Sequence, residues 1–334
     1  MISSQRFVVA EESQVGEARR FIQERVKRCG GSEAFCGKAA LIVTELGRNL
    51  VRHGGGGEII SREVRSEGLH GLEILGIDRG PGLKNVTECM RDGYSTIGTA
   101  GTGLGSLQRM SDRFDIFTEV GKGTCVWSQI FDGRITVKTL DFEFSGVNVA
   151  LEGETLCGDS WEVLPLPDAR LRVLVADGLG HGPFAAEASR EAISVLRSHE
   201  KAGLAETVDL INRALGKTRG AAAAAVDILP LQQQVTVSGV GNISIRVHGP
   251  EFSKSLISDN GTLGVNARKA REYTQPFPAG SLLIMHSDGL TANWNLNDFP
   301  GLARRSAGLI AGVLYRDFKR GRDDSTVVVA RYRP

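Results

Sequence analysis

Apolar residues at Val15, Ala18, Ile22 and Val26 recur three to four positions apart, the interval that lines one face of an α-helix, and Gly30-Gly31 ends that run. A short strand-like stretch, Phe7 to Ala10, precedes it. A second helix is predicted at once. Ser32 is a suitable cap with Glu33 in the first turn, and Phe35, Ala39, Ile42, Leu46 and Leu50 repeat at the same interval. It should run to about His53 and stop at Gly54 to Gly57, because consecutive glycines cannot sustain a helix. Beyond them, Glu58 to Arg65 and Gly71 to Asp78 read as two strands joined by a short turn. A glycine-rich loop, Gly98 to Gly105, leads into a short helix ending near Arg113, and Phe114 to Val120 and Thr124 to Phe131 read as a hairpin.

Asp132-Gly133-Arg134 is polar and turn-prone, and a new series of strands follows it, so the chain divides there into residues 1–134 and 135–334. In the second part Leu171 to Ala176, Ser281 to Ser287 and Ser325 to Arg331 are apolar strand-like runs, while Phe184 to Arg197 and Leu204 to Leu215 are helical. Five alanines, Ala221 to Ala225, favour helix by propensity. The continuation Val226-Asp227-Ile228-Leu229 and the preceding Gly220 favour a buried strand instead. The fold class expected is α+β, with helices laid on mostly antiparallel sheets.

Composition adds few constraints. At 334 residues, about 150 per domain gives two domains. Forty Lys and Arg against thirty-nine Asp and Glu leave a net charge of +1, which removes any bulk-charge case for a nucleic-acid or membrane partner. No apolar run approaches the length of a spanning helix, and Met1 to Glu12 lacks a basic segment followed by an apolar one, so a cytoplasmic protein is expected. Five cysteines with no Cys-x-x-Cys pair suggest reduced, mostly buried thiols rather than a disulfide framework or a zinc site.

Two constellations carry chemistry. In the first, Glu45 and Asn49 lie four apart on the second predicted helix and so share a face. Asp78-Arg79-Gly80-Pro81-Gly82 puts an acceptor at a strand end beside an open backbone, and Gly101-Thr102-Gly103-Leu104-Gly105 offers amides at a helix N-terminus, where phosphate is favoured. No Gly-Lys-Ser/Thr follows, so this is not a P-loop. In order, with Gly121-Lys122-Gly123-Thr124, these pieces resemble the ATP-binding fold of the GHKL superfamily (a Bergerat-type α/β sandwich), and within it the RsbT-type serine kinases that control bacterial sigma factors. The resemblance implies ATP and Mg²⁺ as cofactors, Asn49 on the Mg²⁺, Asp78 on the adenine amino group supported by Thr124, and the glycines (Gly80, Gly82, Gly101, Gly103, Gly105) around the nucleotide. Glu45 would be the general base for an attacking hydroxyl. Tyr94 to Gly101 holds no Lys or Arg, which leaves open what neutralises the γ-phosphate and whether the domain transfers phosphate at all.

In the second constellation two apolar strands each finish in Asp-Gly: Asp177 before Gly178-Leu179-Gly180-His181-Gly182, and Asp288 before Gly289. Asp159 and the dipeptide Asp323-Asp324 add further carboxylates. Asp without clustered His or Cys selects hard cations such as Mg²⁺ or Mn²⁺, and four carboxylates match two divalent ions with water between them. The series is similar to the metal-dependent serine/threonine phosphatases (PPM family), in the SpoIIE-like, RsbX-type branch, whose fold is a β-sandwich flanked by helices. The resemblance implies that Asp177 bridges both metals with the Gly178 carbonyl, that Asp159, Asp288 and Asp323 complete the set, and that Asp324 stays outside it. His181 reads either as a proton donor or as a locally satisfied loop residue, the role of Glu162 is open, and His286 reads as structural. The combined expectation is a kinase and a phosphatase on one chain, acting on STAS-domain partner-switching proteins. The alternative is a first domain that only binds nucleotide or a partner and regulates the phosphatase.

Overall fold

The structure, a computed structural model, describes residues 4–90, 103–135 and 142–333. It forms two compact units, Ile2–Lys138 with Arg304–Arg316, and Thr139–Ala303 with Asp317–Pro334. The first contains β1 (Gln5–Val9), α1 (Glu12–Arg28), α2 (Glu33–Asn49), β2 (Gly57–Ser66), β3 (Leu69–Ile77), a single turn α3 (Val86–Cys89), α4 (Gly103–Met110), β4 (Arg113–Glu119) and β5 (Gly123–Phe131). The strands form one antiparallel sheet in the order β1-β2-β3-β5-β4. Ser32 caps α2 as its position predicts, its hydroxyl accepting the Phe35 amide at 3.2 Å. The expected extension of α2 to His53 is a π-helical turn, Leu50–Gly54. Alternate residues of the strands, Leu72, Ile74, Val126 and Ile130, pack under α1 and α2 against Ala39, Ile42 and Leu46.

The second unit contains β6 (Phe142–Val149), β7 (Asp159–Leu166), β8 (Arg170–Gly178), α5 (Pro183–Ser198), α6 (Leu204–Ala214), β9 (Ala221–Leu229), β10 (Gln234–Val240), β11 (Ser244–His248), β12 (Ser253–Leu256), β13 (Tyr273–Pro276) and β14 (Leu282–His286). The chain then runs through α7 (Ala307–Phe318) to β15 (Ser325–Tyr332). Two sheets, β13-β10-β9-β8-β7 and β12-β11-β14-β15-β6, face each other across one core. Val173, Val175, Ala224 and Val226 of the first sheet meet Ile245, Leu283, Met285 and Val328 of the second. Helices α5 and α6 cover the outer face of the first sheet through Ala188, Ala192, Leu196 and Val208. The alanine run is the strand β9, because small side chains let α5 and α6 pack close on one face and the second sheet on the other.

A single cut at 134/135 leaves residues 304–316 in the second half, whereas in the structure they belong to the first unit. The reason is the other face of the first sheet, where Glu73, Leu75, Cys125 and Trp127 are buried. Helix α7 lies there, with Ala307 through Arg316 all buried. Gly308 and Gly312, one turn apart, allow the approach: a Cβ on Gly308 would meet Trp127 and, at 2.6 Å, Glu73 Oε1, and one on Gly312 would meet Cys125 Sγ and Leu75 Cδ2 at 2.9 Å. Asp115 of β4 pins the helix start, accepting the Ser306 amide at 2.7 Å and Arg305 Nη1 at 3.2 Å.

Candidate functional sites

In the first unit, Glu45 and Asn49 emerge from the last turns of α2 as their spacing predicts, facing the start of α4. The start of α4 comes close to both: a Cβ added at Gly103 would lie 2.8 Å from Glu45 Oε1 and 3.4 Å from Asn49 Oδ1. Asn49 Nδ2 is buried with no hydrogen-bond partner among the described residues, a donor left over for a ligand. Asp78 follows β3, and its Oδ1 accepts the Gly80 amide at 2.8 Å and the Thr124 amide at 3.1 Å. Thr124 therefore supports Asp78 through its backbone, while its hydroxyl sits 3.1 Å from that of Thr118. Burial pushes the Asp78 carboxyl above its usual range, against the pull of those two amides and of the Arg316 and His53 charges. Gly54, which closes the π-helical turn after Asn49, abuts both Asp78 and Gly80. Gly82 packs on the Glu119 carbonyl, and Gly105 is buried in α4. Gly101 and the stretch Tyr94 to Gly101 lie outside the described residues. The orphaned Asn49 Nδ2 donor fits a phosphate oxygen, and a cation would be met by its Oδ1.

In the second unit, Asp159 and Asp177 face each other across β7 and β8 as a register pair. Ser287 donates its hydroxyl to Asp159 Oδ2 at 2.6 Å, so the residue before Asp288 is tied to the first carboxylate. Asp177 is strongly perturbed. Burial pushes its carboxyl far up, and repulsion from Asp159, Asp288 and Asp323 adds to it. Burial raises Asp159 as well, offset by the Ser287 hydrogen bond. A buried carboxyl facing three further acids has the electrostatic character of a site for divalent cations. Among the described residues no three His, Cys, Asp or Glu side chains converge closely enough to hold one ion as they stand. The Gly178 amide donates to Gly158 O at 3.2 Å, which joins the two Asp-bearing strand ends. Asp324 is committed elsewhere, accepting the Leu151 and Gly158 amides at 2.8 Å each, while Asp323 stands beside Asp288 and His181.

Two further residues, Asn242 and Glu154, had no sequence signal. Asn242, on the turn after β10, donates to Asp288 Oδ2 at 2.8 Å. Glu154 Oε1 lies 2.6 Å from His181 Nδ1, so His181 is held by a carboxylate and also faces Asp323. Glu162 pairs with Arg197 of α5 and not with the acids. His286 is structural: its Nε2 accepts the Trp294 indole at 3.1 Å, and burial lowers its pKa to about 4.

With this geometry in place, known proteins give the family. The Stage II sporulation protein E (SpoIIE) family matches residues 167–333, and the histidine kinase-like ATPase domain matches residues 8–130. The chain belongs to the SpoIIE family. Its SpoIIE part is 31% identical over 140 residues to the phosphoserine phosphatase RsbX of Bacillus subtilis (strain 168), covering 42% of this chain and 70% of RsbX. The part ahead of it is 31% identical over 116 residues to the serine/threonine-protein kinase RsbT of the same strain, covering 35% of this chain and 87% of RsbT. A solved structure from work on the bacterial stressosome as a modular system for secondary messenger signalling superposes with a TM-score of 0.53 at 31% identity, covering 57% of this chain and 99% of that one. A crystal structure of RsbX in complex with magnesium gives 0.50 at 26% identity, covering 59% and 98%. This SpoIIE family member is thus an enzyme, with a protein serine/threonine phosphatase domain behind a kinase-like ATPase domain. No described helix is long and apolar enough to cross a membrane.

Proposed function

We propose that this chain both adds phosphate to and removes it from serine or threonine residues of STAS-domain partner-switching proteins, in the cytoplasm, with ATP and Mg²⁺ at the first unit and Mn²⁺ or Mg²⁺ at the second. The observation that carries the phosphatase half is the register pair Asp159 and Asp177 on adjacent strands of one sheet, with the Ser287-Asp288 end of the other sheet tied to Asp159 and with the charges of Asp288 and Asp323 acting on Asp177. Asp177 and the Gly178 carbonyl would hold both cations, and Asp159, Asp288 and Asp323 would complete the set. The cations, when bound, neutralise the phosphoryl oxygens and activate a water for attack. Ser287 and Asn242 fix the orientation of Asp159 and Asp288. His181, held by Glu154, would give a proton to the departing seryl oxygen, the catalytic one of its two open readings.

In the first unit Asp78 would accept from the adenine amino group, Asn49 would help hold Mg²⁺, and the amides at Gly103 and Gly105 would meet phosphate. Glu45, close to Gly103, would then take the proton of an attacking serine hydroxyl. RsbT and RsbX, the relatives of the two parts, carry the names of a kinase and a phosphatase, which supports opposed activities on one chain. The phosphatase half is tested with a phosphoserine STAS domain as substrate. Asp177→Asn should abolish Mn²⁺- or Mg²⁺-dependent phosphate release while leaving the fold intact by circular dichroism, and undiminished release would overturn the assignment.

A further inference from the structure

Helix α7 interrupts the second unit between two of its acids, Asp288 and Asp323, yet its residues up to Arg316 belong to the first unit. Its last turn meets the candidate nucleotide site. Arg79, inside the Asp78-Arg79-Gly80 bend, donates from Nη2 to the Arg316 carbonyl, and the Arg316 charge acts on the Asp78 carboxylate. Arg316 itself is 2% exposed. Two residues later the chain is part of the acidic centre's own scaffold. The Thr291 amide donates to the Phe318 carbonyl at 2.9 Å, and the Arg320 amide donates to the carbonyl of Gly289, the neighbour of Asp288, at 2.8 Å. Leu290 and Lys319 form an isolated bridge between the same two segments. Asp323 follows within three residues.

Resting on both readings above, we propose that α7 couples the two sites, so that nucleotide bound at Asp78 changes the turnover of the phosphatase centre. The bend that presents Asp78 to a ligand is the bend that grips the end of α7, so a ligand that draws on Asp78 acts on the Arg79 grip in the same movement. Buried from Ala307 to Arg316 and pinned at its start by Asp115, the helix has no slack in which to absorb a shift at Arg316. The shift arrives at Phe318 to Arg320, whose backbone fixes the loop behind Asp288. A ligand alters the centre only by as much as it prefers one arrangement of that grip, and such couplings are commonly about 5- to 150-fold.

The test uses the full chain and p-nitrophenyl phosphate, with free Mn²⁺ buffered to a constant level, with and without ADP, which has no γ-phosphate to transfer. ADP binding is measured separately by calorimetry. Wild type should bind ADP and change its kcat, or its Mn²⁺ requirement, by about fivefold or more. Arg79→Ala should keep the basal turnover, the melting temperature and ADP binding, while its response falls to within about twofold. The coupling is overturned if wild type binds ADP with unchanged turnover, or if Arg79→Ala responds as fully as wild type. If ADP does not bind at all, the nucleotide-site reading fails and the coupling falls with it; if p-nitrophenyl phosphate is not hydrolysed, the phosphatase reading fails and takes the coupling with it.

Discussion

Arg172 of β8 and Asp227 of β9 form a cross-strand pair five residues before Asp177, and breaking it gives a sharp test of how the phosphatase scaffold is held. Their side chains are 2% and 8% exposed. Arg172 Nε donates to Asp227 Oδ1 at 2.6 Å and Nη2 to Oδ2 at 2.8 Å, a bidentate fork. Its remaining Nη1 reaches Thr207 Oγ1 at 2.8 Å and the Ala202 carbonyl at 3.0 Å, tying the sheet to the start of α6. Arg172→Met keeps most of the stem but leaves the Asp227 carboxylate buried without its counter-charge. Removal of one partner of such a pair costs about 3–5 kcal/mol, whereas replacing both by apolar residues is often close to neutral. At about 2–4 °C per kcal/mol for a unit of this size, the second unit's melting temperature should fall by about 6–20 °C. Arg172→Met combined with Asp227→Leu should recover most of the loss. Urea unfolding followed by tryptophan fluorescence measures both, with the slope showing whether the unfolded state has changed. A single-variant cost below about 1 kcal/mol, or a double variant as unstable as the single, would refute the reasoning.

His181→Ala should lower kcat on a phosphoserine peptide by about a hundredfold. It should barely affect p-nitrophenyl phosphate, whose leaving group needs no proton, and Glu154→Gln should show the same split more weakly; equal losses on both substrates would remove the proton-donor role. Asp78→Ala removes the acceptor proposed for the adenine amino group and should weaken ATP binding at least about tenfold by calorimetry, so unchanged binding would place the nucleotide elsewhere. For pH, Asp177 has its pKa pushed from an ordinary 3.8 to about 10 by burial, then by Asp159 and its other acidic neighbours. A raised carboxyl favours the folded state at low pH and loses that advantage as pH rises towards the folded value. Metal-free protein in chelator should therefore lose up to about 2 kcal/mol between pH 7 and 8.5. That window lies above the opposite effect of His286, with a folded pKa of about 4 against an ordinary 6.5. Asp177→Asn or added Mn²⁺ should flatten the decline in melting temperature, and a decline untouched by either would contradict the electrostatic reading.

The parts legible in the sequence are those whose residues face two different surroundings. The stripe Phe35, Ala39, Ile42, Leu46 announced α2 because its other side meets solvent, and the Asp-Gly strand ends of Asp177 and Asp288 stood out because each apolar run stops at a charge. Helix α7 escaped notice because ten consecutive residues are buried, which erases the one-sided pattern that marks a surface helix. The division of the chain at 134/135 followed local polarity, and no local property reveals that Gly308 and Gly312 fit a sheet more than 170 residues earlier. In the same way, Asp324 was separable from Asp323 only by resemblance until its two backbone partners, Leu151 and Gly158, were in place. Glu154 and Asn242 had no motif around them. They matter because the fold carries them to His181 and Asp288, an arrangement set by loop geometry rather than by spacing.

Opposed activities on one chain are tested most directly by following label from γ-³²P ATP onto a STAS-domain partner in one reaction with Mg²⁺ and Mn²⁺. The account predicts transient labelling by wild type, sustained labelling by Asp177→Asn, and none by Glu45→Ala. Labelling by Glu45→Ala equal to that of Asp177→Asn, or no labelling by any variant, would contradict it.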